Sequence, residues 1–282
     1  MRTYRLERRL SHADVDFLGE LKIAALLGLL EQAAVEASTA VGFDAARYTR
    51  EGRIWIIRRT RLDRFVPVGG GDVLEVETQV MDFRRARSLR HYTVHRDAAP
   101  VADATTDWVY CDLQTGRPSR IPEELQRAFT DGNALPNLAR AASLAAAVPA
   151  EAVAYELTAQ PSHLDHVTHV NNAVYASYLE DGAFALFAAH DWPLTRMLAA
   201  GGALRVRRLD VEYLSDALVG DHLVVHSWLV DATALTANRN EPPRAALMLQ
   251  AITRTDGAAV MRAQSDWVWR GKPPVVGGVP AP

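Results

Sequence analysis

At 282 residues, 49% hydrophobic and 23% charged, the chain has the profile of a globular protein with length enough for two ordinary domains. A net charge of −3 gives no electrostatic reason to expect a nucleic-acid partner, and a single cysteine, Cys111, excludes an internal disulfide framework and any multi-cysteine zinc site. The start, Met1 to Arg9, returns to charge before an apolar stretch forms, and no uncharged run approaches the ~20 residues of a membrane helix, so no membrane association and a cytoplasmic location are expected.

In chain order, a short opening strand leads to a helix whose apolar residues Ile23, Leu26, Leu27, Leu30 and Ala34 recur at helical spacing. Strand alternation follows at Asp72 to Val80, Ser88 to His95 and Ala104 to Cys111. From Thr115 to about Val153 the composition changes, with Pro118, Pro122, Pro136 and Pro149 as punctuation. That predicts a long linker with one or two short helices. A second helix is expected through Val174, Tyr178, Leu179 and Leu186, then strands at Arg205 to Tyr213, Asp221 to Val230, Arg244 to Arg254 and Ala258 to Trp269. The tail from Gly271 to Pro282 is rich in proline, glycine and valine, which predicts poor order.

The two halves repeat. Asp16 precedes Glu31 by the same fifteen residues that separate Asp165 from Glu180. Gly71-Asp72 and Gly220-Asp221 each open an alternating strand, and each half closes on Asp-Trp-Val, at Asp107 and at Asp266. Three landmarks in one order indicate a duplicated domain. The expected fold is α+β: two tandem units, 1–130 and 151–272, each an antiparallel sheet wrapped on one long helix, with a linker at 131–150 and a flexible tail at 273–282.

The chemistry concentrates at Leu164 to Tyr175. Asp165, with His169 four residues on, stands directly before a helix that Asn171 or Asn172 can cap. A carboxylate, an imidazole and a helix N-terminus are the parts needed to attack a carbonyl and hold the resulting oxyanion. The plainer alternatives are a dipole-favouring acid at Asp165, a satisfied histidine at His169 and simple caps at the asparagines. A metal site built on His163, His166, His169 and Asp165 is disfavoured, because an extended segment sends His163 and His166 to opposite faces. No metal and no cofactor are expected. In the first half Asp16 is kept, but Gly19 to Ile23 carries neither the histidine nor the asparagines. One active site per chain follows, leaving the first half to shape a pocket.

These residues resemble the hotdog fold, and the tandem arrangement resembles the acyl-acyl-carrier-protein (acyl-ACP) thioesterases of plants and bacteria. In the first half the similarity rests on Leu29 to Ala34, Val41-Gly42-Phe43, Trp55 to Arg59, Asp107-Trp108-Val109 and Asp112 to Pro118. In the second, the family pattern Asp-x-Asn-x-His-Val-Asn-Asn is matched by Asp165 and His169 to Asn172, with Val167 in place of the middle asparagine, and Tyr175 and Glu180 follow on the helix. Tyr213 with Asp216 three residues on is similar to the family's acid beyond the helix. The resemblance implies hydrolysis of an acyl thioester carried on acyl carrier protein or coenzyme A. Asp165 would serve as general base or nucleophile, His169 as its hydrogen-bonding partner, and Asp216 would orient a proton. Backbone amides at Val170, Asn171 and Asn172 would hold the oxyanion, while Tyr175 and Glu180 would support the site from the helix. Arginines 58, 59, 61 and 64, and 84, 85, 87 and 90, are candidates for docking an acidic carrier or its phosphates. A coenzyme A or polyketide-type thioesterase, a hotdog dehydratase or hydratase, and a non-catalytic acyl-binding module stand as alternatives. A monomer and a homodimer are equally compatible with the sequence.

Overall fold

A computed structural model describes residues 2–144, 147–231, 235 and 241–271; the predicted flexible tail lies outside them beyond residue 271. The first half runs β1 (Thr3–Arg9), α1 (Ile23–Ala40), α2 (Ala45–Arg50), β2 (Arg53–Arg64), β3 (Val73–Arg84), β4 (Arg87–Arg96), β5 (Ala99–Asp112) and α3 (Glu123–Thr130). The second runs β6 (Val153–Thr158), α4 (Asn172–Ala189), α5 (Leu194–Ala199), β7 (Gly202–Tyr213), β8 (His222–Leu229), β9 (Ala245–Arg254) and β10 (Ala259–Gly271).

All ten strands form one antiparallel sheet in the order β1-β3-β4-β5-β2-β7-β10-β9-β8-β6. Read inward from either edge, the order is the same. A shift of 149 residues carries Asp16 to Asp165 and Arg53 to Gly202 (165 − 16 and 202 − 53). Arg61 on β2 pairs across the central seam with Asp210 on β7, its own counterpart under that shift, so the pseudo-two-fold passes through this pair. Charge fixes the seam register: Arg59 forks onto Asp210 (2.7 and 2.8 Å) and Arg208 meets Asp63 (2.5 Å).

β2 was not among the alternating segments read from the sequence. It is a central strand whose register shift between Ile57 and Arg59 interrupts the alternation, so only Thr60, Leu62 and Arg64 beyond the shift keep an inward period of two. The edge-side strand β3 keeps the pattern, burying Leu74, Val76, Thr78 and Val80.

Helix α1 lies on β1 and β3, α4 on β6 and β8, and the two helices pack on each other. Each therefore buries more than one stripe, including Leu26, Leu27, Leu29 and Leu30 on α1 and Tyr175, Tyr178, Leu179 and Phe187 on α4. By composition alone α1 is apolar enough to cross a membrane, with a mean hydropathy of 1.2; its contacts make it a core helix. Close approach of α4 to the sheet requires Gly182, where an added Cβ would stand 2.6 Å from a Val225 methyl.

The linker contributes one helix, α3, and then straps the sheet. Cross-strand pairs align Asp82, Leu89, Asp107, Arg59 and Glu212 in one row. Arg140 reaches the fully buried Asp82 (2.5 and 2.6 Å) and Asp107 (3.3 Å), while the Ser143 hydroxyl (2.6 Å) and the Leu144 amide (2.9 Å) donate to Glu212. The crossover is thus tied to the seam of the two halves by charge-assisted bonds.

Candidate active site

The Asp165 loop closes on itself before α4. Asp165 Oδ1 accepts the amides of Val167 (2.9 Å) and His169 (3.3 Å), and the Asp165 amide donates to the His169 carbonyl (2.9 Å). Thr168 donates to the Asp165 carbonyl and adopts φ +66, the left-handed region that a β-branched residue rarely enters. The second carboxylate oxygen, Oδ2, accepts no hydrogen bond among the described residues.

Asn171 is the N-cap of α4, its side chain accepting the Ala173 amide at 2.8 Å. Two of the three expected oxyanion amides are already spent. Val170 donates to the Ala217 carbonyl (2.9 Å) and Asn171 to the His163 carbonyl (2.9 Å). These bonds splice the loop to its neighbours, so neither group points at a ligand. The Asn172 amide alone of the three has no partner among the described residues, as befits the first helical position. His169 Nδ1 lies 3.5 Å from Asp216 Oδ2, both side chains partly exposed. Tyr175 is buried, and its hydroxyl accepts the Ala217 amide (2.9 Å), which fixes the turn carrying Asp216; burial pushes its phenol well above the usual range. His163 turns to the Tyr178 hydroxyl (2.6 Å) while His169 faces Asp216, so the histidines diverge.

Glu180 is not part of this group. It belongs to the first-half loop, which repeats the same backbone bonds: Asp16 Oδ1 accepts from Leu18 (2.7 Å) and Glu20 (3.1 Å), and Leu21 donates to Val68 (2.8 Å) as Val170 does to Ala217. Gly19, at φ +79, stands where Thr168 does. Arg205, 1% exposed, fills this copy and pairs with Asp16 and with Glu180 (2.6 Å). These contacts are ionic, without hydrogen-bond alignment. Arg64, also buried, donates to the Leu21 carbonyl (3.1 Å); burial and then the neighbouring Arg205 charge pull its pKa down to about 10. Glu180 crosses over because α4 leans on α1 and presents this position to the opposite half.

By the same crossing, Glu31 of α1 reaches the Asp165 loop. Its carboxyl faces Asn171 and Asp165; burial first and the Asp165 charge second push its pKa up, against the opposing pull of Asn171 and His166. Glu31 also lines a slit of about 10 Å³ with Leu27, Leu30, Ile57, Tyr92 and Asn172, space for about one water. Outside the slit, and sharing Ile57, Asn172 and Tyr213 with it, opens a groove of about 620 Å³. Arg58, Arg84, Arg85 and Arg87 line one wall, and Val170, Tyr175 and Asp216 the other. Asp165 stands behind this wall, partly buried, rather than on it. Arg64 and Arg90 are buried and face no carrier; Arg59 is engaged in the seam.

Residues 2–129 match the family model described as acyl-ACP thioesterase N-terminal domain, and residues 159–269 match that of the thioesterase-like superfamily. The 1,4-dihydroxy-2-naphthoyl-CoA hydrolase of Synechococcus elongatus is 30% identical over 128 residues, 45% of this chain and 94% of that protein. The 12:0-ACP thioesterase from Umbellularia californica superposes with a TM-score of 0.74 at 17% identity, covering 95% of this chain and 94% of its own. An acyl-ACP thioesterase from Bacteroides thetaiotaomicron gives 0.72 at 18%, covering 95% and 98%. The chain belongs to the thioesterases, its first half an acyl-ACP thioesterase N-terminal domain by its match and its second half thioesterase-like.

It is a tandem hotdog enzyme that hydrolyses acyl thioesters. For a thioesterase of this build, sequence reasoning left out Arg205, and took Arg64 for a carrier-docking residue although it is buried beside Arg205. Glu31 was visible as a repeat landmark, equally spaced from its aspartate, but its own half's aspartate is not the one it serves.

Proposed function

We propose that Asp165 is the base of this thioesterase and that the Asn172 amide, at the positive end of α4, receives the oxyanion. A water between them loses a proton to Asp165 as its oxygen bonds to the thioester carbon; collapse then expels the thiolate. The observation that carries this reading is the contrast between two loops with one backbone frame. Arginine fills and neutralises the copy around Asp16, whereas Asp165 keeps an oxygen and Asn172 an amide uncommitted. His169 and Asp216, paired at the groove edge, orient the water.

The carrier arm lies in the groove, its phosphate against Arg84 and Arg85, with the exposed Arg120 beside them. Acyl carrier protein is the favoured carrier, because the arginines extend beyond one phosphate along the rim. The acyl end points toward the slit beneath α1, whose walls must part for anything larger than a water-sized group.

Free-thiol release from acyl-ACP, acyl-CoA and acyl-N-acetylcysteamine panels tests the reading. Wild type should favour the carrier protein, and Asp165→Asn should lower kcat by about 100-fold or more. Asp16→Asn, compared per folded molecule, should keep wild-type kcat. Equal losses in both variants would remove the assignment to Asp165.

A further inference from the structure

Among the described residues three arginines are buried, and two of them meet acids. Arg205 pairs with Asp16 and Glu180, and Arg64 lies 4.0 Å from Glu20. Arg90 on β4, 6% exposed, meets no carboxylate among the described residues. Its contacts are a 3.3 Å bond to the Thr78 hydroxyl and the Phe129 ring, 5.1 Å away. A guanidinium carries five N–H donors and a full charge, and burying it without a counter-charge is costly. One long hydrogen bond does not satisfy it.

The surroundings are polar where a hydrocarbon pocket should be apolar. Ser88, Arg90 and Tyr92 are successive buried positions of β4. Arg90 stands opposite Thr106 on β5. Thr106 and Tyr92 line the slit beneath α1, so Arg90 lies one cross-strand step behind its wall. Their hydroxyls bond each other (2.9 Å), and Thr106 Oγ1 also accepts the Trp108 indole N–H (2.6 Å). Two O–H hydrogens serve one bond, so one donor is left without an acceptor among the described residues. Glu31, the carboxyl in the slit, faces Asn171 and Asp165 and forms no ion pair with Arg90.

We propose that this thioesterase takes acyl groups that end in a second carboxylate, the half-thioesters of dicarboxylic acids, with Arg90 as the counter-charge for the far carboxylate. The proposal rests on the reading that the acyl end enters the slit. As its walls part, the tail carboxylate meets the guanidinium as a charge-assisted pair and accepts the spare O–H of Tyr92 and Thr106. The reacting thioester stays at Asn172 and Asp165. A saturated tail of equal length would bring only carbon to a cation and a free hydroxyl, leaving both unpaired. Rejection of that tail is the source of selectivity.

Two measurements on the full chain test this. Calorimetric titration with adipate and with hexanoate, acids of equal length, reads the site without turnover. Wild type should bind adipate about tenfold more tightly than hexanoate. Arg90→Met and Arg90→Gln both remove the charge and should abolish the difference; the second keeps a polar head should the first not fold. Thiol release from adipyl- and suberyl-N-acetylcysteamine, against the hexanoyl and octanoyl thioesters, reads the same site in turnover and without a carrier. Wild type should prefer the dicarboxylic substrate by about tenfold in kcat/KM, mostly through KM, and loss of the Arg90 charge should bring the ratio to unity or below. Equal affinity of wild type for the two acids would overturn the proposal, as would a preference unchanged in the folded Arg90 variants. Absence of thioester hydrolysis by wild type would sink the Asp165 reading instead, while the calorimetric titration still decides the role of Arg90.

Discussion

The Asp16 and Asp165 loops have one backbone and two electrostatic fates. Six hydrogen bonds recur at the 149-residue shift, from the paired amides on the aspartate Oδ1 to the splice of Leu21 on Val68 and Val170 on Ala217. In one copy Arg205 and Arg64 occupy the interior. In the other, their counterparts are Ile56 and Tyr213, and an amide and a carboxylate oxygen stay open. The comparison teaches that the aspartate's turn is a scaffold in both halves; chemistry depends on what the opposite half places above it.

Arg205 gives the sharpest way to break the comparison. Arg205→Met leaves Asp16 and Glu180 buried without their cation, and should destabilise the fold by about 3–5 kcal/mol at neutral pH, read from denaturant midpoints. With two carboxyls crowded, one is pushed up in the folded state, so the folded protein binds more protons than the unfolded chain and stability recovers as pH falls. A pH-independent loss would mean that the cluster does not act as an ion group. Next in size, Arg85→Glu with Arg120→Glu reverses charge at two exposed rim positions. KM for acyl-ACP should rise about tenfold, roughly 1.4 kcal/mol, with acyl-N-acetylcysteamine unaffected; equal change on both substrates would place the arginines outside carrier recognition. The smallest effect is local. Thr168→Gly restores the residue type found at Gly19 and should raise stability by up to about 1 kcal/mol, seen as a higher Tm. A drop would show that the Thr168 side chain contributes more than its backbone costs.

Much of this was legible from residues. The repeat landmarks and the long helices follow from spacing, and the proposal of one site per chain from the loss of histidine and asparagines after Asp16. Three features were not. Amides of Val170 and Asn171 are spent on carbonyls of Ala217 and His163, one a distant partner. β2 hides its alternation because a register shift between Ile57 and Arg59 interrupts it. Glu180 was read with the aspartate fifteen residues before it, but α1 and α4 trade their glutamates across the helix contact.

The sequence by itself determined a duplicated α+β chain and marked Asp165 to Asn172 as the proposed centre of its carbonyl chemistry, because periodicity, caps and short motifs are local properties of neighbouring residues. Tertiary structure decided which carboxyls meet. Glu31 and Asp165 lie 134 positions apart in the chain (165 − 31), and Arg205 quenches a loop nearly two hundred residues before it. Charge and burial act through space, so the difference between a working loop and a filled one is set only when the two halves close on each other.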